Sequence, residues 1–237
     1  MTFPSLPSTN TWAIENISSL SHGDVVMTNE QTAGRGRFNR PWISGQNKCL
    51  TFSLVLKNSI LPDPALIPPC IASAVRAALV SLGMEVKLKW PNDVMVNNRK
   101  IAGILCETTD ATNLIVAGTG INININSEDF ERTGLAGIAT SLLIETGNKY
   151  DTDNLLSNVL KKVEKTADST AENISGLLKE WRKNDWLIQR DITVKTAKGS
   201  ISGKYEGIDN SFHLILKDGN EQTQTFASGD VSVTSDQ

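Results

Sequence analysis

Apolar residues in this chain recur with two periods, and the places where the period changes mark its elements. After Ser8-Thr9-Asn10, residues suited to capping a helix, Trp12, Ile14, Ile17 and Leu20 predict a helix to about Leu20. Val25, Val26 and Met27 predict a strand within 24–30, and Leu50, Phe52, Leu54 and Leu56 alternate as one face of a second. A proline-rich entry (Pro62, Pro64, Pro68, Pro69) leads into a helix over 70–82, with Gly83 placed to cap it. Residues 86–90 read as a strand stopped by Pro91, and 94–96, Asn97-Asn98 and 100–107 as a hairpin. Residues 114–117 and 121–125 form a further strand, expected to be interrupted by Gly118-Thr119-Gly120. Helices are expected at 141–145, 152–166 and 171–184.

After Trp186 the pattern becomes short strands (192–195, 200–208, 212–217 and 221–227) separated by Lys198-Gly199, Asp209-Asn210 and Asp218-Gly219-Asn220. That spacing predicts a small β-barrel. About 45 residues make little core of their own, so the barrel is expected to lean on the larger unit. The expected division is 1–187 and 188–237.

Composition narrows the class. With 237 residues, 39% hydrophobic and 21% charged, the chain is an ordinary soluble globular protein. A net charge of -3 and a pI near 5.5 argue against general nucleic-acid binding. Met1-Thr2-Phe3-Pro4-Ser5 has neither the basic nor the apolar region of a signal peptide, and no apolar run approaches the roughly 18 residues of a membrane span. Cys49, Cys70 and Cys106 are scattered and read as reduced thiols, which places the protein in the cytoplasm. Two distant histidines, His22 and His213, supply neither a zinc site nor a Ser-His-Asp triad. Chemistry is therefore expected from Lys, Arg, Asp, backbone amides and Mg²⁺.

The strongest chemical signal is Gly34-Arg35-Gly36-Arg37-Phe38-Asn39-Arg40-Pro41-Trp42. From Gln31 to Pro62 there is no Asp or Glu, yet Arg35, Arg37, Arg40, Lys48 and Lys57 are cationic. Guanidinium forks suit phosphate oxygens, glycines let backbone N–H groups approach them, and Trp42 offers a face to a purine. A solvated loop and an arginine-glycine RNA segment are the competing readings; the motif occurs once, between ordinary strands, which disfavours the second. Lys89-Trp90-Pro91-Asn92-Asp93 leaves Asn92 and Asp93 in a turn at a strand end, and the hairpin returns Lys100 beside it. Gly103 leaves room for a flat ligand against the backbone. In Gly118-Thr119-Gly120-Ile121-Asn122 the alternatives are a bulged core strand and a strand that sets Asn122 against a base edge; the third glycine of a dinucleotide fingerprint is absent.

In this order and spacing, these motifs resemble the biotin–protein ligases (biotin–acetyl-CoA-carboxylase ligases), over essentially the whole chain. The resemblance implies an α+β fold of the class II aminoacyl-tRNA synthetase/biotin ligase kind, a central mixed sheet flanked by helices, with an SH3-like C-terminal barrel. It implies activation of biotin by ATP to biotinyl-5′-AMP and transfer to one lysine of a biotin carboxyl carrier protein domain. Biotin contacts are implied at Ser8, Thr9, Asn10, Gln31, Gly34, Arg35, Gly36, Arg37, Lys100 and Gly103. ATP contacts are implied at Arg35, Arg37, Arg40, Trp42, Asn92, Lys100 and Asn122, with Mg²⁺ held mainly by phosphates. Lys100, Arg35 and Arg37 would carry adenylation, and Asp93 would orient or deprotonate the acceptor lysine. Family members that also act as repressors have a winged helix-turn-helix before the Ser-Thr-Asn segment, which here begins at Ser8, so neither repression nor a DNA partner is expected. No membrane partner is expected, and the resemblance leaves room for a homodimer. The rivals are a lipoate or octanoate ligase of the same fold, disfavoured by the arginine-tryptophan loop, and a non-catalytic nucleotide- or nucleic-acid-binding module.

Overall fold

A computed structural model describes residues 1–109, 112–166, 171–197 and 199–234. Its first part runs β1 (Thr2–Phe3), α1 (Thr9–Glu15), β2 (Val25–Thr28), β3 (Cys49–Lys57), α2 (Ile67–Val80), β4 (Lys87–Lys89), β5 (Asp93–Val96), β6 (Arg99–Thr108), β7 (Leu114–Asn122) and α3 (Ser127–Arg132). Then follow α4 (Leu142–Thr146), α5 (Thr152–Thr166), α6 (Ala171–Lys183), β8 (Asp191–Thr196), β9 (Gly199–Ile208), β10 (Leu214–Asp218), β11 (Thr223–Phe226) and β12 (Asp230–Val233). The periodicity missed β1, α3 and β12, each too short to show a period. It also carried the first helix too far: α1 ends at Glu15, and a separate 3₁₀ turn covers Ile17–Ser19. In contrast, α2 starts before the predicted Cys70, because Pro68 and Pro69 fit its first turn, where no N–H partner is needed. Gly83 takes φ +86 just beyond that helix.

Seven strands make one mixed sheet in the order β1-β2-β3-β7-β6-β5-β4. β1 and β2 pair in parallel, and every other neighbour is antiparallel. Both faces of its centre are covered. On one, Leu50, Phe52, Leu54 and Leu56 join Ile104, Ile115, Ala117 and Ile121 under α2. On the other, Val55 and Val116 pack beneath Ala13 and Ile17. The alternation in β3 therefore describes only half its burial, which extends from Cys49 to Leu56.

The second face changes character along the strands. Side chains alternate across a strand, so Thr51 and Ser53 of β3 share that face with Val55. Gly118, Gly120 and Asn122 of β7 follow Val116, and Gly103, Leu105 and Glu107 lie beside them on β6. Small and polar residues at every second position leave a cleft where aliphatic side chains would otherwise fill the face. β7 is not interrupted: Gly118-Thr119-Gly120 stays in register with both neighbours. Extended glycine needs no break in a ladder; it only removes side-chain bulk.

The C-terminal strands form an antiparallel SH3-like sheet in the order β11-β10-β9-β8-β12. Lys198 of the predicted Lys198-Gly199 turn lies outside the described residues. The sheet has no separate core. Ile192, Val194, Leu214 and Leu216 belong to the same buried cluster as Trp90, Trp181 and Leu187. Trp90 Nε1 donates to the Phe212 carbonyl (2.9 Å), and the Phe212 ring meets Trp181 edge-on.

Candidate active site

Three glycines form the floor of a cavity of about 330 Å³ on the polar side of the large sheet. A Cβ at Gly118 would overlap the Asn10 amide, and one at Gly120 would overlap the Trp42 indole. A Cβ at Gly103 would fall 2.9 Å from Lys100 Nζ and 3.4 Å from Asp93 Oδ1. The room above Gly103, expected for a flat ligand, is thus occupied by the Lys100 side chain. Asp93 pairs with Gly103 across the β5/β6 ladder, and a register shift follows at Val94/Met95. Lys100 crosses the bare glycine to reach Asp93, with Nζ–Oδ1 at 2.6 Å and Nζ 5.7 Å from the centre of the Trp42 ring. The Lys100 backbone is pinned as well: its N–H donates to the Ile138 carbonyl, and its carbonyl accepts from Thr140, both at 2.9 Å.

At one end of the cleft stand Ser8, Thr9 and Asn10, all nearly fully buried. Ser8 caps α1, accepting from the Thr11 N–H. The Thr9 N–H donates to Gln31 Oε1 (2.8 Å), which brings Gln31 to the same wall. Ser53 Oγ lies 2.8 Å from Thr9 Oγ1 and donates to Asn10 Oδ1 at 2.6 Å. Asn10 Nδ2 donates to the Leu105 carbonyl and to Glu107 Oε2. Each of these side chains has a hydrogen-bond partner, as a buried polar wall requires.

The arginine loop closes the other side. Its stem is a bridge between Arg35 and Pro41, with the Trp42 N–H donating to the Gly34 carbonyl (2.9 Å). At the tip Phe38 (φ 55) and Asn39 (φ 56) are left-handed, which Asn tolerates and Phe does not favour. Its cations find carboxylates from distant chain segments. Arg35 pairs with Glu107 (3.2 Å), Arg40 with Asp230 of β12, and Lys48 with Asp129 of α3 (2.5 Å). Arg37 approaches Asn92 Oδ1 (3.5 Å); burial lowers its pKa, although Asp93 and Asp230 oppose that shift. Lys89, opposite Asp93 in the β4/β5 ladder, is also lowered by burial, again against Asp93. The Lys48 hydrogen bond chiefly holds the Asp129 carboxyl below its usual range.

Of the fifteen residues from Ser8 to Asn122 named above as biotin, ATP or catalytic residues, all but Gly34 line this cavity, though not all point alike. Gly34 stays in the loop stem, where a Cβ would meet the Trp42 carbonyl, while Gly36 and Arg40 face the mouth. The Arg35 guanidinium turns away from the centre, to Glu107 and to Thr11 Oγ1 (3.1 Å). Asn92 Nδ2 is held by the Ile104 carbonyl (2.5 Å), and Asn122 Nδ2 by the Thr140 carbonyl (2.9 Å). Asn122 Oδ1 receives only the weak Cys49 thiol at 3.8 Å. Glu107, Asp129 and Asp230 were missed. Their signal was indirect: a stretch with five cations and no acid must draw its counter-charges from elsewhere. Among the described residues no three His, Cys, Asp or Glu could hold a metal ion, and Asp93, Asp129 and Asp230 are each engaged by a cation. These residues do not make a protein-held Mg²⁺ site.

Comparison with known proteins identifies the family. Residues 2–126 match the biotin/lipoate A/B protein ligase family. The chain belongs to that family. Residues 188–233 match the biotin protein ligase C-terminal domain, which puts the chain on the biotin side of the family. The bifunctional ligase/repressor BirA of Bacillus spizizenii is 32% identical over 82% of this chain and 62% of its own length. BirA of Escherichia coli is 30% identical over 90% of the chain and 68% of its length. The biotin–[acetyl-CoA-carboxylase] ligase of Paracoccus denitrificans is 28% identical over 89% and 90%. The chain spans 62% and 66% of the length of two Bacillus relatives. In fold it is similar to the Aquifex aeolicus biotin protein ligase solved with biotin and ATP: TM-score 0.82, 24% identity, covering 99% of this chain and 97% of that one. No helix among the described residues is long and apolar enough to cross a membrane.

Proposed function

We propose that this member of the ligase family activates biotin with ATP and transfers it to a lysine of a biotin carboxyl carrier protein domain. The observation that carries the reading is the position of Lys100 Nζ. It stands over the glycine floor, between the Asp93 carboxylate and the Trp42 ring. In adenylation a biotin carboxylate oxygen bonds to the α-phosphorus of ATP, and the bond to pyrophosphate breaks. Two anions must meet along one line, and a fixed ammonium stabilises the charge that builds there. Lys100 is assigned that role, with Arg37 and Arg40 on the phosphates and Trp42 against the adenine. Asn122 reads the base edge through its carbonyl and remaining N–H. The buried Ser8, Thr9 and Asn10, with the half-buried Gln31, suit the urea-like ring of biotin, a neutral group rich in donors and acceptors. Gly36 leaves the backbone of the loop open to the ligand, while Gly103 makes room for Lys100 and Gly34 for the loop stem. Mg²⁺ enters on the ATP phosphates, as part of the substrate.

In transfer, the acceptor amine forms an amide with the biotinyl carbonyl, and the bond to AMP breaks. Asp93, at the cleft mouth, orients that amine. The unit of 1–187 performs both steps, and 188–237 contributes Asp230 to the phosphate side. Three free cysteines fit a reducing, cytoplasmic setting. The test is incubation with biotin, ATP, Mg²⁺ and a carrier domain, followed by intact-mass measurement. One biotinyl group on the carrier's single acceptor lysine is expected; a carrier whose mass does not change refutes the proposal.

A further inference from the structure

Glu107 has no part in the chemistry above, yet one carboxylate here joins three segments of chain. Oε2 accepts from Asn10 Nδ2 at 2.8 Å, and Oε1 accepts from Arg35 Nη2 at 3.2 Å. The same Arg35 nitrogen reaches Thr11 Oγ1. The start of α1, strand β6 and the stem of the arginine loop thus meet at Glu107. Gly118 permits it, since any Cβ there would displace the Asn10 amide. Asn10 is only 4% exposed, so an amide N–H that lost Glu107 would have little water to replace it. Arg35 sits between Gly34 and Gly36, two residues that leave the stem conformationally free. A charged side-chain anchor offsets that freedom at the point where the loop departs.

We infer that Glu107 is a positioning residue: through Arg35 it fixes the root of the loop against the Ser8–Asn10 wall, and so governs how tightly the cleft retains biotin. This deepens the ligase reading and rests on it. It also moves Arg35 from phosphate ligand to strut, leaving Arg37 and Arg40 for the phosphates. Because Glu107 does not touch the reacting atoms, its loss falls on biotin binding and loop order more than on turnover.

The experiment measures biotin-dependent ATP–pyrophosphate exchange and the rate of tryptic cleavage after Arg37 in the full chain. Glu107→Ala is expected to raise the KM for biotin and the cleavage rate about tenfold, with a smaller fall in kcat. Glu107→Gln keeps an oxygen for Asn10 and Arg35 and should recover most of both, leaving rises of about threefold. Arg35→Gln should match Glu107→Ala, and the double variant should be no worse than either single one, because both break one link. Wild-type KM and cleavage in Glu107→Ala, multiplicative losses in the double variant, or a fall in kcat at unchanged KM would each overturn the inference. Should Glu107→Ala fail to fold, Glu107→Gln and Arg35→Gln decide, wild-type values in both again overturning it. Absence of exchange in the wild type would refute the ligase reading instead, and the cleavage arm would still decide on the strut.

Discussion

At the Ser8–Asn10 end of the cleft the polar side chains are buried and bonded to one another. At the Arg40 end they are charged, more exposed, and paired across the junction with the second sheet. Arg40 keeps 64% of its side-chain surface in solvent, whereas Asn10 keeps almost none. Buried hydrogen bonds hold one shape at any ionic strength; exposed ion pairs contribute little and exchange readily. The first end is built for a neutral polar group that must fit, and the second for an anion that must come and go. Lys100 stands between them.

Removing Lys100 should therefore produce the largest effect. Lys100→Ala is expected to lower the exchange rate by about 10²–10³-fold while the melting temperature stays near that of the wild type, since the lysine serves charge in the transition state. An exchange rate within a factor of a few would remove it from the chemistry. Gly118→Ala attacks the buried end alone. Its methyl group must displace the Asn10 amide, which should cost about 1–3 kcal/mol in stability and raise the KM for biotin more than that for ATP. Equal rises in both would show that the two ends are not separable.

The second sheet offers the same contrast in its own attachments, for it is tied by Arg40–Asp230 at the surface and by Tyr205–Asp185 in the interior. Burial pushes the Asp185 carboxyl up to about 6, against hydrogen bonds from Tyr205 and Leu187 that favour its charged form. The folded chain thus holds a proton that the unfolded chain releases near pH ~4. The stabilisation is complete below that lower pH and is lost as pH rises through about 6. Asp185→Asn should flatten this part of a pH–stability curve measured by denaturant titration; an unchanged slope would mean another group causes it. Asp230→Asn should have the smallest effect, at most about 1 kcal/mol in stability. Its difference from wild type in the KM for ATP should shrink as salt is added, and a difference that survives high salt would show that Asp230 does more than balance Arg40.

Most of the frame was legible because strands and helices here bury continuous faces. Leu50, Phe52, Leu54 and Leu56 announce β3, and Asn97-Asn98, both left-handed, announce the hairpin turn that brings Lys100 back to Asp93. What the periodicity concealed was the second covered face. Gly118 and Gly120 looked like a break in a strand, and they are part of the cleft floor, while Thr51 and Ser53 on the same face of β3 are buried polar residues beside it. The counter-ions were hidden for another reason. An excess of cations in 31–62 is local, but Glu107, Asp129 and Asp230 answer it from 72 to 190 residues away in register and loop contacts that only the fold creates. Arg35 shows what a motif leaves out: its type suits phosphate, and only the fold sets Glu107 and Thr11 beside its guanidinium.

The most direct measurement is exchange of labelled pyrophosphate into ATP by the purified wild-type chain, with biotin present, absent or replaced by lipoate or octanoate. Exchange that requires biotin, and that Lys100→Ala lowers by about 10²–10³-fold, is the expected result. Exchange that proceeds without biotin, that lipoate or octanoate supports equally well, or that never appears would contradict a cleft built to join biotin to ATP.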